Sequence, residues 1–162
     1  LEEGKIDLGF LGSRKPIEER GLQFRSIASD KTVAALPKGD RLAKKAVVKL
    51  KDLKPMFFVG MSEASYPGYR DWLNATCRRA GFAPKVLQDV DIERFVIEAV
   101  GAGLGVALLP DQVKTLPHES VVFRPLIPAV VTESCIAWRS ENTSTALKAY
   151  VAIVQERSAS MR

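Results

Sequence analysis

The sequence predicts an α/β fold, with one mixed sheet or two small sheets. Segment 100–110 contributes most to this prediction, because three alternate glycines join the end of a helical pattern to an apolar strand that stops at Pro110. Along the rest of the chain, apolar runs of strand length alternate with longer stretches in which apolar residues recur at helical spacing. Strands and helices that alternate in this way are typical of α/β domains.

The expected elements follow from apolar patterns and turn residues. Strands are predicted at 4–12, 33–36, 56–59, 86–88, 106–109, 121–123, 130–131 and 135–138. A helix is predicted from Tyr69 to Ala80, ended by Gly81, and a second over 92–100 with Asp91 as its N-cap. A last helix is predicted after Ser144, a candidate N-cap. Its apolar positions are Leu147, Tyr150, Val151 and Val154.

The three glycines of segment 100–110 resemble the phosphate-binding fingerprint of dinucleotide domains in their spacing. They are Gly101, Gly103 and Gly105. In that fingerprint the chain runs from a strand into a helix. Here it runs from a helix into a strand, so we expect a helix C-cap followed by a tight turn and no bound nucleotide.

Length and composition predict a globular chain without a bilayer span or an export signal. The 162 residues are 46% hydrophobic, which suffices for one ordinary domain or two small lobes. No apolar run approaches about 20 residues, the length that crosses a bilayer, and the first residues lack the pattern of a signal peptide. We therefore expect a cytoplasmic protein without membrane contact, unless a leader was removed.

The residues that catalysis or metal binding would need are sparse. Cys77 and Cys135 lie far apart without neighbouring metal ligands, and we expect free thiols. His118 is the single histidine, in a predicted loop, so spacing supports no nucleophile–histidine arrangement. Asp7 and Glu93 could be paired carboxylates, but Asp7 lies within a strand, where a structural hydrogen bond is the better explanation. No cofactor, metal or enzymatic activity is expected.

Much of the net charge of +5 comes from segment 38–54, in which seven lysines and arginines accompany Asp40 and Asp52. Such a run can follow a phosphate backbone. The segment has no aromatic side chains and connects two apolar stretches, so a solvated surface is the favoured interpretation.

Several segments of the chain occur in an order and spacing that are specific in combination. They are Gly4–Phe10, Val33–Pro37 with the following Asp40–Ala43, Ala80–Pro84, Ala99–Pro110 and Val122–Leu126. Over nearly its whole length the chain thereby resembles the effector-binding domain of LysR-type transcriptional regulators. The resemblance implies the type 2 periplasmic-binding-protein fold, in which two α/β lobes joined by two crossing segments hold a small effector between them.

The resemblance also implies how the chain divides. Crossing segments are expected near 29–36 and 122–127, so that 1–36 with 122–162 form the first lobe and 37–121 the second. Family members carry an N-terminal winged helix-turn-helix domain that is missing here, and DNA is expected to bind only through that domain. A strand–helix–strand unit of the first lobe is missing too, and the exposed edge of an incomplete lobe predicts self-association.

Two loops are candidates for the effector site, because ligands of open α/β sheets bind beyond the carboxyl ends of strands. The first is Leu11-Gly12-Ser13, and the second is 62–69. In the second loop, hydroxyls and amides precede a helix N-terminus and suit a small carboxylate, while tyrosines could cover an apolar body. The expected contacts there are Ser62, Ser65, Tyr66, Pro67 and Tyr69. The alternative is a capped helix start with Tyr69 in the core and Arg70 on the surface.

Ile92 and Glu93, at the start of the next helix, are expected to face the same cleft. Glu93 either selects against a second negative charge on the ligand or complements the helix dipole. The sequence therefore predicts a sensor of a small anionic or aromatic metabolite that acts on an attached DNA-binding domain. The alternatives are a free-standing solute-binding protein of the same fold, which the missing export signal disfavours, and a small enzyme.

Overall fold

The computed structural model describes residues 1, 3–12 and 21–160, which pack as two units. One unit comprises Leu1–Ser29 and Glu133–Arg162, and the other comprises Asp30–Thr132. The predicted lobe boundaries at 36/37 and 121/122 stay a prediction. Residues 33–37 pair in register with 121–125, and these ladder hydrogen bonds hold both stretches within the second unit.

The chain forms a mixture of strands and helices, as predicted. In chain order the strands are β1 (Leu8–Leu11), β2 (Leu22–Pro37), β3 (Val48–Lys49), β4 (Phe57–Met61), β5 (Lys85–Val90), β6 (Ala107–Pro110), β7 (Val121–Ile127) and β8 (Val131–Arg139). The α-helices are α1 (Tyr69–Arg79), α2 (Glu93–Gly101) and α3 (Thr145–Ser160). Short 3₁₀ helices occupy Arg41–Lys44, Leu50–Leu53 and Asp111–Thr115.

Some strands differ in length from the prediction. β2 spans 16 residues from Leu22, whereas only 33–36 has a continuous apolar pattern. The predicted strands 130–131 and 135–138 belong to one strand, β8, because the polar residues between them also take extended positions, with Thr132 buried. β3 has two residues, too few to produce a recognisable pattern.

The first unit contains β1, which pairs antiparallel with β8 so that Leu8 lies opposite Trp138. Asp7, just before β1, accepts a hydrogen bond from Asn142 Nδ2 at 2.7 Å, which confirms the structural role expected for it. Helix α3 begins directly after Ser144 and buries Leu147. This hydrogen bond links the residue before β1 to the segment that leads into α3.

The second unit is built around the second half of β2. Ala34 lies opposite Leu108 of β6 on one side and opposite Arg124 of β7 on the other, and both pairings are antiparallel. β3 joins β7 in parallel, while β4 and β5 form a separate parallel pair to which Val106 is bridged through Phe58. Buried apolar side chains of β2, β3, β4, β6 and β7 form one core. This core fixes the carboxyl ends of β4 and β5.

The glycine turn between α2 and β6 is confirmed as a helix C-cap followed by a strand. Gly103 has a φ of +84°, a backbone conformation that favours glycine. A Cβ at Gly105 would lie 2.5 Å from the carbonyl oxygen of Phe57, so only glycine lets the two backbones approach. The amide of Val106 donates to that same oxygen at 2.9 Å. Close packing against β4 therefore accounts for the glycine at 105.

Both cysteines, Cys77 and Cys135, are buried and carry thiols rather than a disulfide, as predicted. Burial raises the pKa of the Cys77 thiol to about 11, which keeps it protonated at neutral pH. Within the described ranges, no helix is long and apolar enough to cross a membrane.

Candidate functional site

Two loops meet at the carboxyl ends of β4 and β5. The strands are parallel, with Met61 opposite Val90, and the amide of Ser62 donates to the carbonyl of Val90 at 3.0 Å. One loop then leads into α1 and the other into α2. The structure thus brings the predicted loop 62–69 beside the predicted helix start at 91–93, at the edge of the sheet where open α/β folds bind ligands.

Asp91 joins the two loops through its carboxylate. The hydroxyl of Ser62 donates to Asp91 Oδ1, and the hydroxyl of Ser65 donates to the same oxygen at 3.4 Å. The prediction that Asp91 caps α2 is wrong, because the N-cap position is Ile92, which has no side-chain cap. Instead of capping α2, Asp91 accepts hydrogen bonds from the serine hydroxyls of the loop after β4. The two serines proposed for ligand contact therefore form a polar cluster with Asp91.

Glu63 caps α1 with its carboxylate. Glu63 Oε2 accepts a hydrogen bond from the amide of Gly68, and Oε1 accepts one from the amide of Arg70, both at 2.8 Å. These are amides that a ligand carboxylate would use at the start of α1. Sequence reasoning missed this cap, because Glu63 lies five residues before Gly68 rather than at the N-cap itself. A ligand carboxylate at this position would have to displace Glu63.

Tyr69 lies in the core rather than at the surface. Its side chain is 3% exposed, and its hydroxyl donates to the carbonyl of Leu108 at 3.1 Å. Burial raises the pKa of Tyr69, so the phenol stays neutral. Its ring also packs against Trp72, with the centroids 5.5 Å apart. Tyr69 therefore occupies the position of the alternative interpretation, in which it belongs to the core. Its ring offers no surface to a ligand.

Tyr66 and Glu93 are half-buried polar residues of the two loops, as is Ser62. Burial raises the pKa of the Tyr66 phenol, and the nearby negative charge of Glu93 raises it further. Burial also raises the pKa of the Glu93 carboxyl. Burial makes ionisation of the Glu93 carboxyl unfavourable, and a hydrogen bond donated by a ligand would offset part of that cost.

Ile92 and Phe95 expose apolar surface at the start of α2. They are 52% and 50% exposed. Val96, Ile97 and Val100 fill the buried face instead. Ile92, at the N-cap position, and Phe95, in the first turn, thus expose apolar side chains within two residues of Glu93 in the chain.

Arg70 forms an ion pair with Asp89 of β5, and it is half buried rather than freely solvated. The carboxylate of Asp89 reaches over Gly60 of β4, where a Cβ would lie 2.5 Å from Asp89 Oδ1. This pair therefore ties α1 to the edge of the sheet. Because Arg70 is paired with Asp89, its charge is not available to an anionic ligand.

The other predicted site residues belong to the first unit, to the loop before α1, or to the part of the chain outside the described residues. Leu11 ends β1 and is half buried, Gly12 is exposed, and both belong to the first unit. Ser13 lies outside the described residues. Pro67 is exposed in the loop before α1. The described part of the chain contains no group of three or more His, Cys, Asp or Glu residues that could hold a metal ion.

His118 makes structural contacts within the second unit. Its Nδ1 lies within hydrogen-bond distance of the carbonyl of Leu116, and its ring meets the edge of Phe123 with centroids 4.9 Å apart. These partners are a backbone carbonyl and a phenyl ring, neither of which can act as a nucleophile.

Comparison with known proteins shows the family. The LysR substrate binding domain matches residues 1–159. The transcriptional regulator AlsR of Bacillus subtilis is 29% identical over 155 residues, covering 94% of this chain and 50% of that protein. ShiR of Corynebacterium glutamicum, another HTH-type transcriptional regulator, is 31% identical over 154 residues, covering 94% and 52%. The chain thus spans about half the length of these curated relatives.

Solved structures show the same fold. The effector binding domain of a BenM variant has a TM-score of 0.83 at 22% identity, covering 99% of this chain and 75% of that chain. HinK, a LysR family transcriptional regulator from Pseudomonas aeruginosa, has a TM-score of 0.77 at 24% identity, covering 96% and 55%. With the match along 1–159, these likenesses identify the chain as a member of the LysR substrate binding domain family, with a periplasmic-binding-protein-like α/β fold of two lobes.

Proposed function

We propose that this chain is the ligand-sensing part of a LysR-type transcriptional regulator, which acts in the cytoplasm. The observation that carries the proposal is the family match along residues 1–159, together with relatives that are transcriptional regulators about twice as long. A small molecule bound at the loops after β4 and β5 would change the activity of an attached DNA-binding domain. The sensing part itself performs no chemistry.

The ligand chemistry follows from the side chains of these loops. An aromatic or apolar body would lie on Ile92 and Phe95, while its donor groups would meet Asp91 or Glu93. An anionic ligand, the other class that the sequence predicts, must compete with Glu63 for the amides of α1. Breaking two charge-assisted hydrogen bonds opposes such binding. We therefore favour an aromatic ligand with hydrogen-bond donors over a carboxylate.

Signalling requires that the ligand bind two arrangements of the protein unequally, because only a difference in affinity shifts an equilibrium. The relatives fit this scheme, since each is an HTH-type regulator whose remaining half would read DNA. The expected participation of Leu11 and Gly12 stays a prediction. Self-association also stays a prediction.

A thermal-shift screen of small aromatic alcohols, amides, amines and acids tests the proposal. A ligand of the folded state raises the unfolding midpoint by mass action. For a compound that binds, Ser62→Ala and Glu93→Gln should reduce the shift, whereas Ser140→Ala, at an exposed turn of the first unit, should leave it unchanged. The proposal fails if no compound raises the midpoint. The site assignment fails if Ser62→Ala and Ser140→Ala behave alike.

A further inference from the structure

Segment 38–54 forms a strongly cationic surface on the second unit. It holds seven lysines and arginines against two aspartates, a net charge of +5 that equals the net charge of the whole chain. All seven cationic side chains are exposed. We call these seven residues the cationic face: Lys38, Arg41, Lys44, Lys45, Lys49, Lys51 and Lys54.

The backbone that carries the cationic face is fixed to the core. Leu42, Leu50 and Leu53 are buried, so that the charged residues between them point outward from two 3₁₀ helices. The guanidinium of Arg124 donates to the carbonyl of Ala43 from Nε at 3.1 Å and from Nη2 at 2.8 Å. Pairing of β3 with β7 holds the middle of the segment. The charges therefore lie on a rigid surface rather than on a loose loop.

The acids of this segment neutralise little of the positive charge. Asp40 accepts a backbone hydrogen bond within the segment at 2.7 Å, and Asp52 accepts one from Lys45 Nζ at 2.8 Å. The hydrogen bond from Lys45, and after it the charges of Lys49 and Lys51, lower the pKa of the Asp52 carboxyl. Among the described residues, only Lys45 of the cationic face makes an ion pair.

The side chains of the segment favour the phosphates of a double helix over other polyanions. The segment has no aromatic residue, so it offers no surface on which the bases of a single strand could stack. Its leucines are buried and Val47 is the large apolar side chain that it exposes, which is too little apolar surface to enter a membrane. Exposed lysines are point charges that suit phosphates without reading base edges.

We propose that the cationic face binds the phosphate backbone of duplex DNA without sequence preference. The proposal rests on the proposed function, because a domain attached to a DNA-binding domain is held beside duplex DNA at high effective concentration. It goes beyond the interpretation from sequence, in which this segment is a solvated surface and DNA is bound only through another domain. Each phosphate that a lysine neutralises releases counterions and adds affinity that salt removes.

Fluorescence anisotropy of a labelled random-sequence duplex, titrated with the 162-residue chain at several salt concentrations, tests the proposal. The logarithm of the binding constant should fall linearly with the logarithm of salt concentration. The slope is about −0.9 for each phosphate contacted, so four or five contacts predict a slope of about −4. Absence of binding at the lowest salt concentration overturns the proposal.

A triple charge reversal locates the contact. The variant with Lys44→Glu, Lys49→Glu and Lys51→Glu should bind at least about tenfold more weakly, and its slope should be shallower by about 3. A control with the same change in net charge places the reversals at exposed lysines outside the face: Lys31→Glu, Lys85→Glu and Lys148→Glu. This control should keep most of the affinity. Equal weakening in both variants overturns the proposal, because net charge alone would then explain binding.

Two further comparisons keep the outcome decisive. If thermal unfolding shows that the charge reversals disturb folding, the three lysines of the face are changed to glutamine and compared with the matching glutamine control. Single-stranded RNA and anionic phosphatidylserine vesicles are titrated in parallel, and tighter binding to either one overturns the choice of duplex DNA. Effector binding is measured without DNA, so failure of this proposal leaves the thermal-shift result standing, and the converse also holds.

Discussion

The loops after β4 and β5 and the cationic face are both charged surfaces of the second unit, but their charges have different partners. In the loops, Glu63 accepts hydrogen bonds from two backbone amides and Asp91 from serine hydroxyls, and beside them Asp89 of β5 pairs with Arg70. On the cationic face, one of the seven cations makes an ion pair within the described residues. Charges that hold the backbone contribute to stability, whereas charges without a partner remain available to another molecule. Charge counts from the sequence cannot separate these two uses.

The largest expected loss of stability comes from Arg124→Lys, which tests whether the cationic face depends on its attachment to β7. A lysine cannot reproduce both hydrogen bonds to the carbonyl of Ala43, so we expect a loss of about 2 kcal/mol in the free energy of unfolding. Urea denaturation measures this loss. Arg78→Lys, at an exposed position near the end of α1, is the control. Equal effects would show that the attachment contributes nothing.

Glu63→Ala sharpens the comparison between the two surfaces. The variant loses both hydrogen bonds at the start of α1, and we expect it to be destabilised by about 1 kcal/mol. Lys51→Ala on the cationic face should change stability by less than about 0.5 kcal/mol, because the side chain is exposed and makes no ion pair with any described residue. Thermal or urea unfolding of both variants measures the two changes in stability. A larger effect for Lys51→Ala would reverse the assignment.

Glu93→Gln should have a smaller effect that depends on pH. Because burial raises the pKa of this carboxyl above its ordinary value of 4.5, the favourable contribution of the protonated form is complete below that value and is lost as pH rises through the folded pKa. The glutamine variant cannot ionise, so its stability relative to the parent should improve as pH rises towards neutral. Unfolding midpoints across this range measure the trend. Glu119→Gln, in an exposed loop, should show no such improvement.

The smallest effect is expected from Asp52→Asn on the cationic face. The hydrogen bond from Lys45, with the surrounding lysine charges, lowers the pKa of Asp52 below 3.8, so its contribution is present above that value and is lost as pH falls through the folded pKa. Since Lys45 is exposed, the loss at neutral pH should be at most about 0.5 kcal/mol. High salt should reduce it further. A loss that does not change with salt would contradict an exposed ion pair.

Local patterns in the sequence predicted much of the fold and the place of the candidate site. The helix from Tyr69 with its stop at Gly81 and the glycine turn before β6 are confirmed. The loop that begins at Ser62 follows a strand, as predicted. The partner of Asp91 was missed, because its hydroxyl donors lie 29 and 26 positions away. The burial of Tyr69 stayed open for a similar reason, since the carbonyl that binds it lies on β6.

The sequence by itself determined most of the order of strands and helices and the family. The elements depend on spacing between residues that are close in the chain, and the family depends on the order of such segments along it. Only the tertiary structure decided which charged side chains form hydrogen bonds to the protein and which point to solvent. Glu63 and Lys51 are both charged residues in polar stretches, yet one holds the start of α1 and the other faces outward. That difference depends on distances between backbone groups and side chains, which packing of the core sets and local spacing does not.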